Sequence, residues 1–163
     1  MQRTTQLSSD RLENQFGATI IEVLRQGKSQ RLITTKVKKT GQRLELSFVR
    51  FLPTTAADYS EIHEQILAGG SIGKTFRLYG VPIERYEKSA AQVLLPETLA
   101  DWFDIGGYAT VVEVSIMVGP KPKRSYAQIF EVYSPLVKWP LSPEGQAAPG
   151  TAARLAKLGH LVQ

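Results

Sequence analysis

The sequence predicts an α+β fold in which helices pack on one face of a single antiparallel β-sheet. Several segments have the alternating or β-branched apolar pattern of strands. Short turns that contain glycine separate neighbouring segments, which favours antiparallel hairpins. The sequence has no strand–helix–strand repeat of the kind that builds a parallel sheet. The predicted strands of the sheet are residues 19–24, 31–37, 44–52, 109–118 and 126–133.

Helical periodicity predicts four helices, over residues 7–16, 57–67, 90–103 and 151–162. Ser8 or Ser9 is the expected N-cap of the first helix, and Gly17 is expected to end it. A short strand is predicted over residues 81–86. Prolines in residues 135–150 predict an irregular connection. The last helix is then expected either to pack back through its leucines or to bind a protein partner.

Composition narrows the function classes. The chain has 163 residues, no cysteine and a net charge of +5, so disulfides and thiolate chemistry are excluded and anionic partners are favoured. The basic residues flank turns without interleaved aromatic residues, and we therefore do not expect nucleic acid as a partner. No apolar run is long enough to span a membrane, and residues 1–15 lack a signal-peptide core. We expect a cytoplasmic protein.

One segment nearly matches a nucleotide-binding motif. Residues 68–75, Ala-Gly-Gly-Ser-Ile-Gly-Lys-Thr, differ from the phosphate-binding loop G-x-x-x-x-G-K-[ST] at the first glycine. That loop requires a strand before it and a helix after it, so that backbone amides surround the phosphates. Here a predicted helix precedes the segment, and no apolar strand ends in an aspartate that could bind magnesium. We therefore reject nucleotide hydrolysis.

Glu131 lies in a strand that is otherwise mostly apolar. Strand alternation places it on one face with Ile129 and Tyr133. Its carboxylate is therefore either at a solvated sheet edge or in a pocket, where burial would raise its pKa and suit it to proton transfer. Glu113, on the neighbouring strand, poses the same alternative.

Other candidate residues are weaker when taken singly. Arg77 and Arg85 flank Gly80 and could each reach an anion, although a surface position is the simpler interpretation of each. Arg31 opens a strand and, taken alone, is typical of a protein surface. His63 and His160 are isolated and lack the spacing of metal ligands, so no metal site is predicted. His63 is expected on the solvated face of its helix.

Taken in order, these motifs resemble those of the chorismate pyruvate-lyase family and of related effector-binding domains of GntR-type transcription regulators. Residues 8–17 and 20–26 are similar to the opening helix, glycine and first strand of that family. Residues 31–53 resemble the central hairpin of the family, and residues 71–76 resemble its Pro-Leu/Ile-Gly segment. Residues 80–85 resemble its isoleucine–glutamate stretch, and residues 129–135 resemble its closing Glu-apolar-aromatic-x-Pro pattern. The resemblance covers residues 8–140, and we predict a chorismate-lyase-like domain over 1–140. Residues 141–163 are predicted to add the proline-rich connection and the last helix.

The resemblance implies a function and a set of site residues. The family eliminates pyruvate from chorismate to give 4-hydroxybenzoate, and no cofactor is required because aromatisation drives the reaction. By motif, Glu131 and Arg31 would be the catalytic side chains, and Ile72 and Gly73 would contribute backbone groups to substrate binding. Arg85 would add a further contact to the anionic aromatic ligand. The alternative is a ligand-binding or protein-interaction module without catalysis on the same fold.

Overall fold

The computed structural model describes residues 2–4, 8–139 and 147–163, with side chains from residue 8 onward. Seven strands form one sheet: β1 (Gln2–Thr4), β2 (Thr19–Gln26), β3 (Gln30–Val37), β4 (Arg43–Phe51), β5 (Ile83–Leu94), β6 (Tyr108–Val118) and β7 (Arg124–Tyr133). Six helices accompany it: α1 (Ser8–Phe16), α2 (Pro53–Asp58), α3 (Ser60–Leu67), α4 (Ile72–Leu78), α5 (Glu97–Phe103) and α6 (Thr151–Leu161). None of the described helices is long and apolar enough to cross a membrane.

The sheet consists of two antiparallel meanders. Its spatial order is β1-β5-β6-β7-β4-β3-β2, so β2, β3 and β4 form one meander and β5, β6 and β7 form the other. The two are joined where β4 pairs with β7, from Glu45 opposite Tyr133 to Phe51 opposite Ala127. Every strand pair is antiparallel. The predicted antiparallel α+β fold is therefore confirmed.

Helices cover both faces of this sheet. Helices α1 to α4 pack on the first face, where residues such as Leu12, Ile66 and Phe76 join strand residues in one apolar cluster. The prediction placed helices on one face only, but α5 and α6 also pack on the second face. They do so because alternation along the strands leaves a second apolar stripe that needs cover. That stripe includes Leu46 and Phe130.

Helix α6 is anchored to the sheet by its leucines. Leu155 and Leu158 are buried in the cluster of the second face, and Leu161 packs against it. Gly159 lies so close to α5 that a Cβ there would overlap Thr98. The leucine face of α6 therefore packs back on the sheet, which is one of the two predicted alternatives.

The main error of the sequence prediction concerns β5. The predicted short strand over 81–86 and the predicted helix over 90–103 are replaced by a twelve-residue strand, Ile83–Leu94, and a short helix α5. The helix-favouring residues around Ala90 and Ala91 pair with β6 over the whole length of that strand. Pairing within the sheet outweighs local helix propensity here.

Smaller corrections concern the helices. The predicted helix over 57–67 is two helices, α2 and α3, which meet at Tyr59. Ser8 and Ser9 lie inside α1 instead of capping it, whereas Gly17 ends it with a positive φ of 80°. Within the predicted irregular connection, residues 135–139 and 147–150 form neither helix nor strand, and residues 140–146 lie outside the described residues.

Candidate functional site

A cavity lies between the first face of the sheet and helices α1 and α4. Its floor comes from three rows of residues that are opposite one another on β3, β4 and β7. The rows are Arg31–Val49–Ile129, then Ile33–Ser47–Glu131, then Thr35–Glu45–Tyr133, and all of these residues except Tyr133 line the cavity. Alternation places all of these side chains on the same face of the sheet. The floor therefore runs from a cation at one end to a carboxyl group at the other.

The middle of the floor holds a buried ion pair. Arg85 on β5 donates to both carboxylate oxygens of Glu131, to Oε2 at 2.7 Å and to Oε1 at a shorter distance. The hydroxyl of Tyr133 donates to Glu131 Oε1 at 2.8 Å. Burial alone would lower the pKa of Arg85, but the charge of Glu131 outweighs it and holds that pKa well above the ordinary value. Both oxygens of Glu131 are thus engaged by protein groups.

Arg85 has a second carboxylate neighbour. Its Nε lies 3.5 Å from Oε1 of Glu87, which also lies 3.7 Å from Arg11 on helix α1. Two arginines and two glutamates therefore form one chain of ion pairs from α1 through β5 to β7. The positive charge of Arg85 is neutralised within this chain.

Glu45 lies at the far end of the floor and is 3% exposed. Its Oε1 accepts a hydrogen bond from Thr35 Oγ1 at 3.1 Å, and its Oε2 has no partner among the described residues. Burial, followed by the negative charge of Glu131, raises the pKa of Glu45 to about 8. At pH 7 this carboxyl group is therefore mostly protonated and neutral.

Arg31 lies at the opposite end and is 1% exposed. Its Nη1 donates to the carbonyl oxygens of Ile66 at 2.8 Å and Gly70 at 3.1 Å, where α3 ends. Its Nε has no hydrogen-bond partner, and no carboxylate lies within ion-pair distance of its guanidinium in the described part of the chain. Burial lowers the pKa of Arg31 to about 10, so Arg31 is still a cation at pH 7.

Two helices form the roof. Ser8 and Ser9 line the cavity from α1, and Ile72 and Gly73 line it from the first turn of α4. The cavity volume is about 60 Å³. This volume is well below the roughly 300–1,000 Å³ typical of pockets for drug-sized ligands and below the roughly 150 Å³ of a cavity that holds benzene, so an aromatic ligand requires the roof to move outward.

All five site residues named from the sequence line this one cavity: Arg31, Ile72, Gly73, Arg85 and Glu131. Of the two alternatives for Glu131, the structure shows the pocket, since its side chain is 2% exposed. Glu45 was not among the residues named from the sequence. A signal was present, because alternation puts Glu45 on one face with Ser47 and Val49, but only the pairing of β4 with β7 brings that face to Glu131.

The other candidates lie elsewhere. Glu113 is on the second face, where it pairs with Arg154 of α6, and Arg77 pairs with Asp10 at the surface. His63 was expected in solvent, but it packs on Phe51 and its Nδ1 lies 2.6 Å from the hydroxyl of Tyr126. No group of three potential metal ligands occurs among the described residues.

The segment 68–75 has a structural role at this site. It joins α3 to α4, and its Gly70 carbonyl accepts a hydrogen bond from Arg31. A helix precedes it, as the sequence indicated, so the strand–loop–helix arrangement of a nucleotide-binding loop is absent from this described segment. The rejection of that motif is consistent with this arrangement.

Comparison with known proteins identifies the fold. No protein-family model matches the chain, and no curated protein matches it. The structure is similar to that of YydK from Bacillus subtilis, described as a possible transcriptional regulator, with a TM-score of 0.53 and 13% sequence identity. That match covers 87% of this chain and 66% of the YydK chain, so this chain spans just under two thirds of that regulator.

Two further structures are more distant. One is a ligand-binding domain attributed to a GntR-family transcriptional regulator of Bordetella bronchiseptica, with a TM-score of 0.47 and 12% identity over 76% of this chain and 92% of that chain. The other is the C-terminal domain of a histidine utilization repressor of Pseudomonas syringae, with a TM-score of 0.46 and 7% identity over 77% and 97% of the two chains. All three are described as transcriptional regulators or repressors, and the likeness to YydK, at 13% identity, shows a shared fold alone. Kinship with the chorismate pyruvate-lyases stays a prediction.

Proposed function

We propose that this chain is a ligand-binding module that holds a small organic carboxylate, with Arg31 as the residue that anchors the anion. One observation carries the proposal: Arg31 is a buried cation at the edge of a cavity and has no carboxylate partner among the described residues. A buried charge is costly unless it is paired. A bound carboxylate would supply the missing negative charge.

The charges around the cavity support an anion. Arg11 and Arg85 are balanced by Glu87 and Glu131. Glu45 is mostly neutral at pH 7, so the charge of Arg31 is in excess. A carboxylate is a suitable partner because a guanidinium can donate to both of its oxygens. The apolar side chains of Ile33, Val49 and Ile129 would then face the body of the ligand, which favours an aromatic ring.

Binding is better supported than catalysis. The resemblance assigned proton transfer to Glu131, but Arg85 and Tyr133 already occupy both of its oxygens. A carboxylate held in this way is a poor general acid or base, because it must first break the ion pair. The fold shared with YydK agrees with a regulatory ligand-binding role. A cytoplasmic location, expected from the sequence, is part of the same proposal.

The test is calorimetric titration of the purified chain with benzoate and 4-hydroxybenzoate at pH 7. We expect both to bind, and Arg31→Met to weaken binding at least tenfold, since a hydrogen bond to a charged group contributes about 1.5–3 kcal/mol. Arg31→Lys keeps the charge without the planar fork and should show an intermediate affinity.

The matched control is Arg124→Met, which removes an arginine from an exposed ion pair with Asp58, outside the cavity. It should leave the affinity unchanged. The proposal fails if the folded wild-type chain binds neither acid, or if Arg31→Met and Arg124→Met bind equally well. Circular dichroism spectra of each variant establish that the fold is retained.

Elimination of pyruvate from chorismate is the second candidate function. The observation in its favour is Glu45, a carboxyl group that is mostly protonated at pH 7 and could donate a proton within the cavity. The test is to mix the chain with chorismate and follow the absorbance of 4-hydroxybenzoate. Turnover that Glu45→Gln abolishes would replace the binding proposal with this one.

A further inference from the structure

The two ends of the cavity differ in charge, and this difference bears on which carboxylates the site accepts. We propose that Glu45 is the residue that determines which ligands the site selects. As a neutral acid, Glu45 donates a hydrogen bond to an oxygen of the ligand. It also rejects ligands that carry a second carboxylate at the Glu45 end of the cavity. The inference rests on the proposed function, because it assumes that the first carboxylate binds at Arg31. It defines the ligand as a monoanion with an uncharged acceptor opposite its carboxylate.

The geometry sets the two polar groups apart. Arg31 is opposite Val49 and Thr35 is opposite Glu45, so the two ends are separated by four residues along β3 and β4. At about 3.3 Å per residue, the Cα atoms at the two ends are roughly 13 Å apart. Side chains from both ends shorten the gap, and the cavity of about 60 Å³ between them admits a ligand with an apolar body and a polar group at each end only when the roof moves outward.

The hydrogen-bonding capacity at this end is incomplete. Glu45 Oε1 is bonded to Thr35, whereas Oε2 is buried and has no partner in the described structure. Buried polar atoms in folded proteins nearly always have a partner. An acceptor oxygen of the ligand would complete the set when Glu45 carries a proton on Oε2.

The surrounding charges make a second anion costly. Glu131, on the neighbouring strand, is the charged group that faces Glu45 from β7, and its own counterion Arg85 is also shared with Glu87. Tyr133 contributes a hydroxyl group that donates to Glu131. From the roof, Ser8 and Ser9 of α1 line the cavity and are uncharged. In the part of the chain that the structure describes, Arg11 and Arg85 are already paired, so a second ligand carboxylate here would meet Glu131 without an unpaired cation to balance it.

The same arrangement predicts how binding depends on pH. Burial, followed by the charge of Glu131, raises the pKa of Glu45 to about 8, while the charge of Arg85 and the nearby hydroxyl groups of Tyr133 and Thr35 oppose that rise. Below this pH, Glu45 is an acid that can donate its proton to the ligand. Above it, Glu45 is a second carboxylate that repels an anionic ligand, so affinity falls as pH rises through about 8.

The experiment uses three acids that differ only at the para position of one ring: benzoate, 4-acetylbenzoate and terephthalate. The last two are nearly the same shape, but terephthalate carries a second carboxylate. By calorimetry at about pH 6.5, we expect 4-acetylbenzoate to bind at least tenfold more tightly than terephthalate and more tightly than benzoate. At about pH 9 the affinity for 4-acetylbenzoate should fall several-fold.

Two variants isolate the role of Glu45. Glu45→Gln keeps a neutral donor of similar shape, so it should retain the preference for 4-acetylbenzoate and lose the pH dependence. Glu45→Leu should bind 4-acetylbenzoate no better than benzoate. Thermal unfolding of both variants checks that they are folded.

The outcomes separate this inference from the proposed function. If none of the three acids binds, both ideas are wrong. If benzoate binds and Arg31→Met abolishes that binding, the proposed function holds. The inference is still overturned in that case if terephthalate binds as tightly as 4-acetylbenzoate, or if Glu45→Gln keeps the pH dependence of the wild type.

Discussion

Both faces of the sheet bury an apolar cluster, but among the described residues only the first face also buries charged side chains. On the first face, Arg31, Arg85, Glu45 and Glu131 are each at most 3% exposed and surround a cavity. On the second face, the strands present Leu32, Leu46, Phe130 and Val132 to helices α5 and α6. Apolar burial stabilises the fold on both faces, at roughly 25 cal/mol per Å². The first face in addition carries charges whose burial opposes folding unless each is paired.

This difference indicates that the two faces of one sheet have different roles. Successive residues of a strand point to opposite faces, so β4 and β7 each contribute to both. Phe130 and Val132 pack under α6 while Glu131, between them, binds Arg85. A change at one residue of β7 can therefore affect the cavity or the core without directly touching the other.

The largest expected effect comes from breaking the ion pair on the first face. Arg85→Met leaves Glu131 buried without its main partner, and we expect the free energy of unfolding to fall by about 3–5 kcal/mol. Urea unfolding at pH 7 measures this. The control is Arg124→Met, which removes an exposed ion pair with Asp58 and should cost less than about 1 kcal/mol. Equal losses in the two variants would mean that burial of the pair does not matter.

The second face should respond in a different way. Leu155→Ala removes a side chain that is 1% exposed, and we expect it to lower the free energy of unfolding by about 2–5 kcal/mol. The affinity for benzoate should stay unchanged in the folded variant. Leu161→Ala, at a half-buried position of the same helix, should cost less. A loss of ligand affinity in Leu155→Ala would show that the two faces are not independent.

The smallest measurable effect is a pH dependence of stability that originates on the first face. The pKa of Glu45 is about 8 in the folded chain and 4.5 in its reference state. A raised carboxyl pKa means that the stabilising contribution is complete below about pH 4.5 and is lost as pH rises through about 8. Urea unfolding between pH 6 and pH 8 should show wild-type stability falling more steeply than that of Glu45→Gln. Parallel curves would contradict the raised pKa.

Much of the fold could be predicted from local pattern. Alternation and turns located five of the seven strands, because short hairpins are local in sequence. The long strand β5 was missed, since Ala90 and Ala91 favour a helix and only pairing with β6 makes them extended. Helices α5 and α6 lie on the second face because of tertiary packing. The periodicity of a single segment does not indicate which face of the sheet its helix covers.

The candidate site shows the same limit. Arg31, Arg85 and Glu131 could be named singly, but each also suited a protein surface. Their convergence depends on the pairing of β4 with β7, which joins residues about 80 positions apart in the sequence. Glu45 was overlooked for this reason, because its own strand shows apolar neighbours but does not indicate that Glu131 of β7 lies beside it. The ion pair of Arg85 with Glu131 likewise has no signature in either segment alone.

The junction between the two meanders also has a kinetic consequence. Each meander can form from contacts that are near in sequence, whereas the β4–β7 junction closes a long loop and is expected to form later. Arg31 and Glu45 belong to the first meander, and Arg85 and Glu131 belong to the second. During refolding, both halves of the sheet can therefore exist before the cavity does. We expect the capacity to bind benzoate to appear with the slowest refolding phase, after most of the strand signal in circular dichroism has returned.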